Sequence, residues 1–536
     1  MSARTAEIDT RRGQPKGLGL LFFAEMWERF SFYGMRGLLV LYLTRTLFAR
    51  IEDSEERDAV AYGIYAAYGA LVYATPFIGG LLADRLLGYK RAVILGGILM
   101  ACGHLAMAVE TELFLYIALA FLIAGNGFFK PNISSMVGGL YEENDPRRDA
   151  GFTIFYMGIN LGAWLQFIPG FLGERVGWWA GFGLAGIGMM IGIGVFWLGK
   201  HKLGVNGDPP SLERLTRPLL GPLSAEWLTY LGAFASVAMF AAFVWQYELM
   251  GYVLTPFAIL GFVIVLVYAI RSEKVVRERL FVVLALTVFN ILFWAFFEQA
   301  GSSINLFTDR NVDRTLAGEF IPTSAFQSVN PLFILVLALP FSFMWLYLER
   351  RHIDPPLPVK FSLGLFQLGA GFLVLAWAAS FAWVGTRPGT DGAATPAVVV
   401  PLAFLLGGYL LHTTGELCLS PIGLSMVTKL SPKKIVAMVM GLWFLSTSMS
   451  HHLAGVVATL TAAGGGDGDE RAPGELARAA GLIDGPGSYA PEVLQSFDSL
   501  ASYTEVFRPI GWTAIAAGVL LLALSPVIKK WQHGVG

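Results

Sequence analysis

Four charged side chains sit inside one apolar stretch near the N-terminus, in the run Glu25-Met26-Trp27-Glu28-Arg29-Phe30-Ser31-Phe32-Tyr33-Gly34-Met35-Arg36. A charge at the centre of a bilayer costs about 2.5–3.5 kcal/mol, so four unpaired charges would cost about 10–14 kcal/mol. At about 100° per residue, Glu25, Arg29, Phe32 and Arg36 share a helical stripe about 60° wide, and Glu28 lies beside it. The opposite face is Leu, Val, Phe and Met. The stripe must therefore turn to a partner or a watery cavity. An ion-pair network that only fixes helix packing is the plainer reading. Two acids and two bases on one span exceed what packing needs, and carboxylates buried near one another suit proton uptake.

Further polar groups break other apolar runs. Lys130 precedes Pro131, which removes a backbone donor and bends its helix. A lysine snorkelling to the interface is the alternative, but apolar sequence continues on both sides. Asn160 lies in Phe155-Tyr156-Met157-Gly158-Ile159-Asn160-Leu161-Gly162 and by itself could be helix–helix glue. Glu298 follows Phe293-Trp294-Ala295-Phe296-Phe297, near a helix end. Asn330 precedes Pro331, and Glu416 lies deep in a second-half apolar run. By halves, the first holds Arg29, Arg36 and Lys130 against Glu25 and Glu28, and the second holds Glu298 and Glu416 with no deep base. A site served by both halves would attract a zwitterion, carboxylate to the first and amine to the second. Asn160 and Asn330 could hydrogen-bond an amide, and Tyr33, Tyr73, Trp294 and Trp443 could wall side-chain pockets.

The elements that must position these groups follow from composition. Only 14% of the 536 residues are charged, 55% are hydrophobic, and mean hydropathy is +0.59. Soluble domains carry roughly 25% charged residues, so most of this chain avoids water. About 20 helical residues cross 30 Å of hydrocarbon, and the apolar runs are too long and continuous for barrel strands. The expectation is an all-α integral membrane protein with about fourteen spans. They begin near Leu18, Ala59, Arg91, Leu113, Gly151, Trp178, Ala225, Tyr252, Leu280, Ser324, Phe361, Ala397, Val436 and Val506. Lys/Arg-rich loops alternate with acidic or mixed ones, which places both termini in the cytoplasm. The polar, basic N-terminal segment reads as a short cytoplasmic tail rather than a cleaved signal. Residues 203–223 read as a linker. The predicted organisation is a six-helix bundle over 1–200, a linker with two extra helices over 201–272, and a second six-helix bundle over 273–536. The Gly/Pro-containing stretch 464–503 reads as a long loop outside the membrane.

Several functions are disfavoured. A net charge of −1 argues against nucleic acid as a partner. Cys102 and Cys418 support neither a disulfide framework nor a metal site. His104 and His412 read as core residues, and His451-His452 lack a neighbouring acid or cysteine for a metal. No GxxxxGK, HExxH or GxSxG motif is present, so neither ATP nor any other cofactor is called for. A membrane-embedded enzyme lacks a nucleophile–base or metal constellation, and nothing resembles the repeated selectivity loop of a channel.

The run Glu25-x-x-Glu28-Arg29-Phe30-x-Phe32-Tyr33-Gly34 resembles the ExxERFxYYG signature of proton-dependent oligopeptide transporters in the major facilitator superfamily. The Phe155 to Gly162 run is similar to that family's second signature. Gly79 to Gly88 resembles the superfamily loop motif, and Glu416 to Ser420 followed by Pro421-Ile422-Gly423 also fits. The extra helix pair is similar to that of bacterial members. The resemblance implies a proton-coupled symporter of di- and tripeptides in the cell inner membrane. Lys130 and Arg36 would hold the peptide carboxylate, Glu416 its amine, and Asn160 and Asn330 its backbone. Glu25, Glu28 and Arg29 would couple protons, joined by Lys130 and Glu298, and Arg36 with Glu298 would gate the outer side. Phe32 departs from the signature tyrosine, and no histidine lies in the first two spans, where animal relatives carry one. Coupling would then rest on carboxylates. A symporter of another anion or amine is the competing reading, since nitrate carriers are relatives; the intact ExxER run and Glu416 favour a zwitterion.

Overall fold

The computed structural model describes residues 13–142, 145, 147–388, 394–419, 423–432, 434–462, 474–483 and 489–534. Among these, the long helices are α1 (Lys16–Tyr42), α2 (Ser54–Ala74), α3 (Tyr89–Met107), α4 (Glu112–Gly138), α5 (Arg148–Leu165), α6 (Trp178–Gly199), α7 (Ala225–Trp245), α8 (Leu249–Arg271), α9 (Lys274–Phe297), α10 (Val329–Arg350), α11 (Leu357–Trp377), α12 (Leu402–Leu419), α13 (Val436–Ala462) and α14 (Pro491–Trp531). Twelve of them belong to spans long and apolar enough to cross a membrane. The other two, α1 and α13, are 27 residues each. In α1 the four charges interrupt the apolar sequence.

The packing shows what the apolar surfaces face. On α8, Tyr252 is 80% exposed and Phe257 61%, and on α10 Phe343 is 68% exposed. Side chains of this kind along whole helices would be untenable in water, whereas hydrocarbon accommodates them and the helical backbone satisfies its own polar groups. The chain is an all-helical, multi-pass membrane protein.

Two compact units make up the chain. One comprises Met1–Leu39 and Leu71–Tyr247, and the other Val40–Ala70 and Glu248–Gly536. In the first unit α7 packs on α4, and in the second α8 packs on α9 and α13. The two helices of the extra pair thus lean on different units.

Two expectations fail locally. The span expected from near Ala397 is present but starts at Leu402, as α12, because Ala394–Val399 is a strand paired with Trp383–Pro388. The β-branched run Val398-Val399-Val400 pairs well in strands, and its apolar character mimics a helix start. The supposed loop over 464–503 contains a short helix, Glu475–Ala479, and the first turns of α14. There Val493, Phe497, Leu500 and Phe507 are buried at three-, four- and seven-residue spacings, the pattern of an amphipathic helix. Residues 463–473 and 484–488 of that stretch, 1–12 of the N-terminal tail, and Ser420, Pro421 and Ile422 lie outside the described residues.

Close approach in the first unit depends on Pro131. It has no N–H to give the Gly127 carbonyl one turn earlier, and the backbone of Gly79 passes that oxygen. A Cβ on Gly79 would lie 2.0 Å from it. Asn132 Nδ2 donates to the Phe128 carbonyl at 2.7 Å and to that of Gly79 at 3.5 Å. Gly79→Ala should therefore force two backbones apart and lower stability by about 1–3 kcal/mol. Gly183→Ala, where a Cβ meets nothing within 4 Å, should be neutral. Thermal unfolding of the two variants in detergent checks this, and equal melting temperatures would contradict it.

Candidate functional site

In the first unit the α1 stripe is a closed ion-pair cluster. Arg29 Nε lies 2.9 Å from Glu25 Oε1 and 2.5 Å from Glu28 Oε2. The three side chains are 3%, 2% and 0% exposed, so water screens none of these charges. The guanidinium also stands 5.4 Å from the Phe32 ring. The aromatic residue that departs from the family signature thus supplies a cation–π face. Glycines bring neighbouring helices onto this stripe. At Gly162 of α5 a Cβ would lie 2.1 Å from the Met26 carbonyl and 2.9 Å from Arg29 Cβ. Ser31 Oγ donates to the Ala185 carbonyl of α6 at 2.6 Å.

The other first-unit cations rest on tyrosines. Lys130 Nζ is 4.1 Å from the centroid of Tyr73, and Arg36 Cζ is 5.7 Å from that of Tyr33. Lys130 also lies within electrostatic reach of Glu28. Asn160 is buried and its Nδ2 donates to the Tyr156 carbonyl of its own helix at 3.0 Å. Two acids and two bases, Arg29 and Lys130, therefore balance. Glu28 Oε1 has no hydrogen-bond partner among the described residues, which makes it a place where a proton can sit.

In the second unit Glu416 is buried on α12, and Asn330 Nδ2 of α10 donates to its Oε2 at 3.0 Å and to Thr413 Oγ1 at 3.0 Å. The amide satisfies one carboxylate oxygen without neutralising it. Trp294 Nε1 donates to Asn290 Oδ1 at 3.1 Å, and Asn290 Nδ2 to Ser446 Oγ at 3.3 Å, which fixes the indole edge. Trp443 is buried on α13. Glu298 caps the C-terminus of α9, with His451 Nε2 at 3.8 Å from its Oε1.

Sequence reasoning missed the charges around the ends of α1, α2 and the short helix Ser303–Asn311. Asp58 accepts from Arg310 at 2.5 and 2.7 Å. Asp309 pairs with Arg45 and with Arg314, the latter at 3.2 Å, and accepts from Thr323 Oγ1 at 2.9 Å. The second half therefore holds bases at its helix ends, Arg314 buried and Arg310 half-buried, and they are matched by acids. The adjacent Asp309-Arg310 at the end of an apolar run was the available signal. His451 was set aside because its acidic neighbour is distant in sequence.

The chain's residues 90–468 match the model of the POT family. Its sequence is 39% identical to the peptide transporter YePEPT of Yersinia enterocolitica over 83% of this chain and 88% of the relative. That places the chain in a family. It belongs to the POT family of proton-dependent oligopeptide transporters, a family of transporters rather than enzymes. A di-/tripeptide transporter of Lactococcus lactis is 36% identical over 84% of this chain and 90% of its own length. The crystal structure of a peptide transporter POT bound to alafosfalin superposes with a TM-score of 0.73 at 34% identity, covering 98% of this chain and 97% of that one. The expected major facilitator architecture with about fourteen helices follows from this likeness.

For this POT chain the Asp58–Arg310 pair yields a direct test. Asp58 is buried and Arg310 about one fifth exposed, so removing one partner costs up to about 3–5 kcal/mol, because the other charge stays poorly solvated. Asp58→Asn and Arg310→Gln should each lower the melting temperature, and the exchange Asp58→Arg with Arg310→Asp should recover much of the loss. A double exchange no better than either single variant would show that the pair contributes little.

Proposed function

We propose that the chain is a proton-coupled symporter that imports di- and tripeptides by alternating access between bundles 1–200 and 273–536. It resides in the cell inner membrane with both termini cytoplasmic. The observation that carries this is the Glu25–Glu28–Arg29 cluster, with two carboxylates on one guanidinium nitrogen and all three side chains buried. The peptide transporters named above support the substrate class, and the Lys/Arg-rich loops support the orientation.

The charge count supplies the coupling. With Lys130, the cluster is neutral when both acids are ionised. A proton on Glu28 adds one uncompensated positive charge beside Lys130, which strengthens the hold of Lys130 and Arg36 on a peptide carboxylate. Proton and peptide thereby favour each other's binding, and linkage makes the effect reciprocal. Tyr33 and Tyr73 hold the two cations in place. Glu416 receives the α-amine, and Asn330, already bonded to Glu416, contacts the peptide backbone beside it. Asn160 serves the backbone from the first unit, and Trp294 and Trp443 wall the side-chain pockets. Arg36 paired with Glu298 forms the outer gate.

Two variants test the roles. Glu28→Gln should abolish uptake driven by a proton gradient and retain peptide exchange, because the neutral amide mimics the protonated state; wild-type gradient-driven uptake would exclude this role. The second test concerns the amine. A charge-assisted hydrogen bond is worth roughly 1.5–3 kcal/mol, about ten- to a hundredfold in affinity. N-acetylation of a dipeptide should weaken wild-type binding by that factor and change binding to Glu416→Gln little. If the variant keeps the wild-type preference in competition binding, the amine sits elsewhere.

A further inference from the structure

The first unit contains a second polar constellation, remote in sequence from the α1 stripe. A cleft of about 770 Å³ lies among the start of α3, the end of α6 and the start of α7. Its mouth carries Lys90, Arg91 and Lys200. Lys90 Nζ is 2.8 Å from Asp208 Oδ1, and Arg91 Nε is 2.9 Å from Glu226 Oε1, which also accepts from Tyr230 at 2.7 Å. These carboxylates orient two of the cations. Lys200 Nζ stands 3.5 Å from the centroid of Trp197, and no carboxylate among the described residues pairs with it. Lys90, Arg91 and Lys200 face Asp208 and Glu226, three cations to two carboxylates, so the lysine and arginine side chains of the mouth exceed the acids by one positive charge.

Polarity falls with depth. Ile98 is seven residues beyond Arg91 and Phe234 eight beyond Glu226, which puts them about 10–12 Å further along their helices. Both line the cleft with exposed rings or branches, as does Leu231. Trp197 and Trp227 sit at the mouth, as aromatic side chains do at the level of lipid headgroups. A free phosphate or similar anion would leave this volume mostly empty, since a water occupies about 30 Å³. A net single positive charge above an apolar slot in a membrane protein is complementary to a monoanionic phosphodiester with acyl chains.

We infer that this cleft is a binding site for an anionic phospholipid, its phosphate at Lys200, Lys90 and Arg91 and one acyl chain along Ile98, Leu231 and Phe234. The lipid is then a wedge between α7 of the extra pair and the α3–α6 wall, a use for the extra helix that peptide transport alone does not supply. The site is independent of the peptide and proton roles proposed above.

Native mass spectrometry of the delipidated full-length protein in detergent tests it. Phosphatidylglycerol and phosphatidylcholine of matched chains are compared, with inorganic phosphate as competitor. Wild type should retain phosphatidylglycerol at least about tenfold better. Lys90→Gln with Lys200→Gln should weaken it by about thirtyfold, at the usual worth of a lysine near anionic lipid, and Lys90→Arg with Lys200→Arg should preserve it. Equal retention of the two lipids overturns the proposal, as does displacement by millimolar phosphate, which would make the site one for a free anion. If the Gln variant does not fold, Leu231→Trp decides: filling the apolar slot should reduce phosphatidylglycerol retention, and unchanged retention counts against the site.

Discussion

One guanidinium shared by two carboxylates, all three side chains buried, is the constraint on which the rest depends. Coulomb attraction over 2.5–2.9 Å is strong where little water screens it, and so is the penalty for any charge left over. The cluster is therefore sensitive to a single proton. Losing one negative charge on Glu28 changes which anion the neighbouring cations need. In the proposed mechanism, a carrier that must refuse empty or proton-free turnover gains that coupling from charge balance.

The helices around the stripe are shaped to keep it dry. Small residues recur at each crossing: Gly162 on the Met26 carbonyl, Gly188 against Phe30, and Gly192 against Trp27. Each lets a backbone approach where a side chain would hold it off, as in other membrane helix pairs. Phe32 closes the cluster with a ring and no hydroxyl, so the cation keeps its two carboxylates as its strong partners. In the second unit the same economy appears with neutral groups. Asn330, which also donates to Thr413, holds Glu416 in place.

Much of this was legible in the sequence, because the bilayer imposes harsh rules. Fourteen long helices, the polar stripe on the first, and the singling out of Glu298 and Glu416 in apolar runs all follow from the length and apolar character of the runs and the penalty on charges in hydrocarbon. The α12 start was misread because strand pairing of the Trp383–Val399 hairpin has no signature distinct from an apolar helix start. The early turns of α14 were missed because Gly and Pro nearby suggested a loop, while burial of Val493, Phe497 and Leu500 depends on tertiary packing. The Asp58–Arg310, Arg45–Asp309 and Glu298–His451 contacts join residues up to hundreds of positions apart. Nothing local in the sequence pairs them.

Coupling of peptide to proton movement is the centre of this account, and it can be measured without any variant. The purified protein is reconstituted in liposomes loaded with a pH-sensitive dye, with no imposed gradient, and a dipeptide is added outside. Entry of peptide should acidify the lumen in step with uptake of label, and a protonophore should abolish the acidification but leave peptide equilibration. Peptide uptake with no accompanying proton entry would contradict the account.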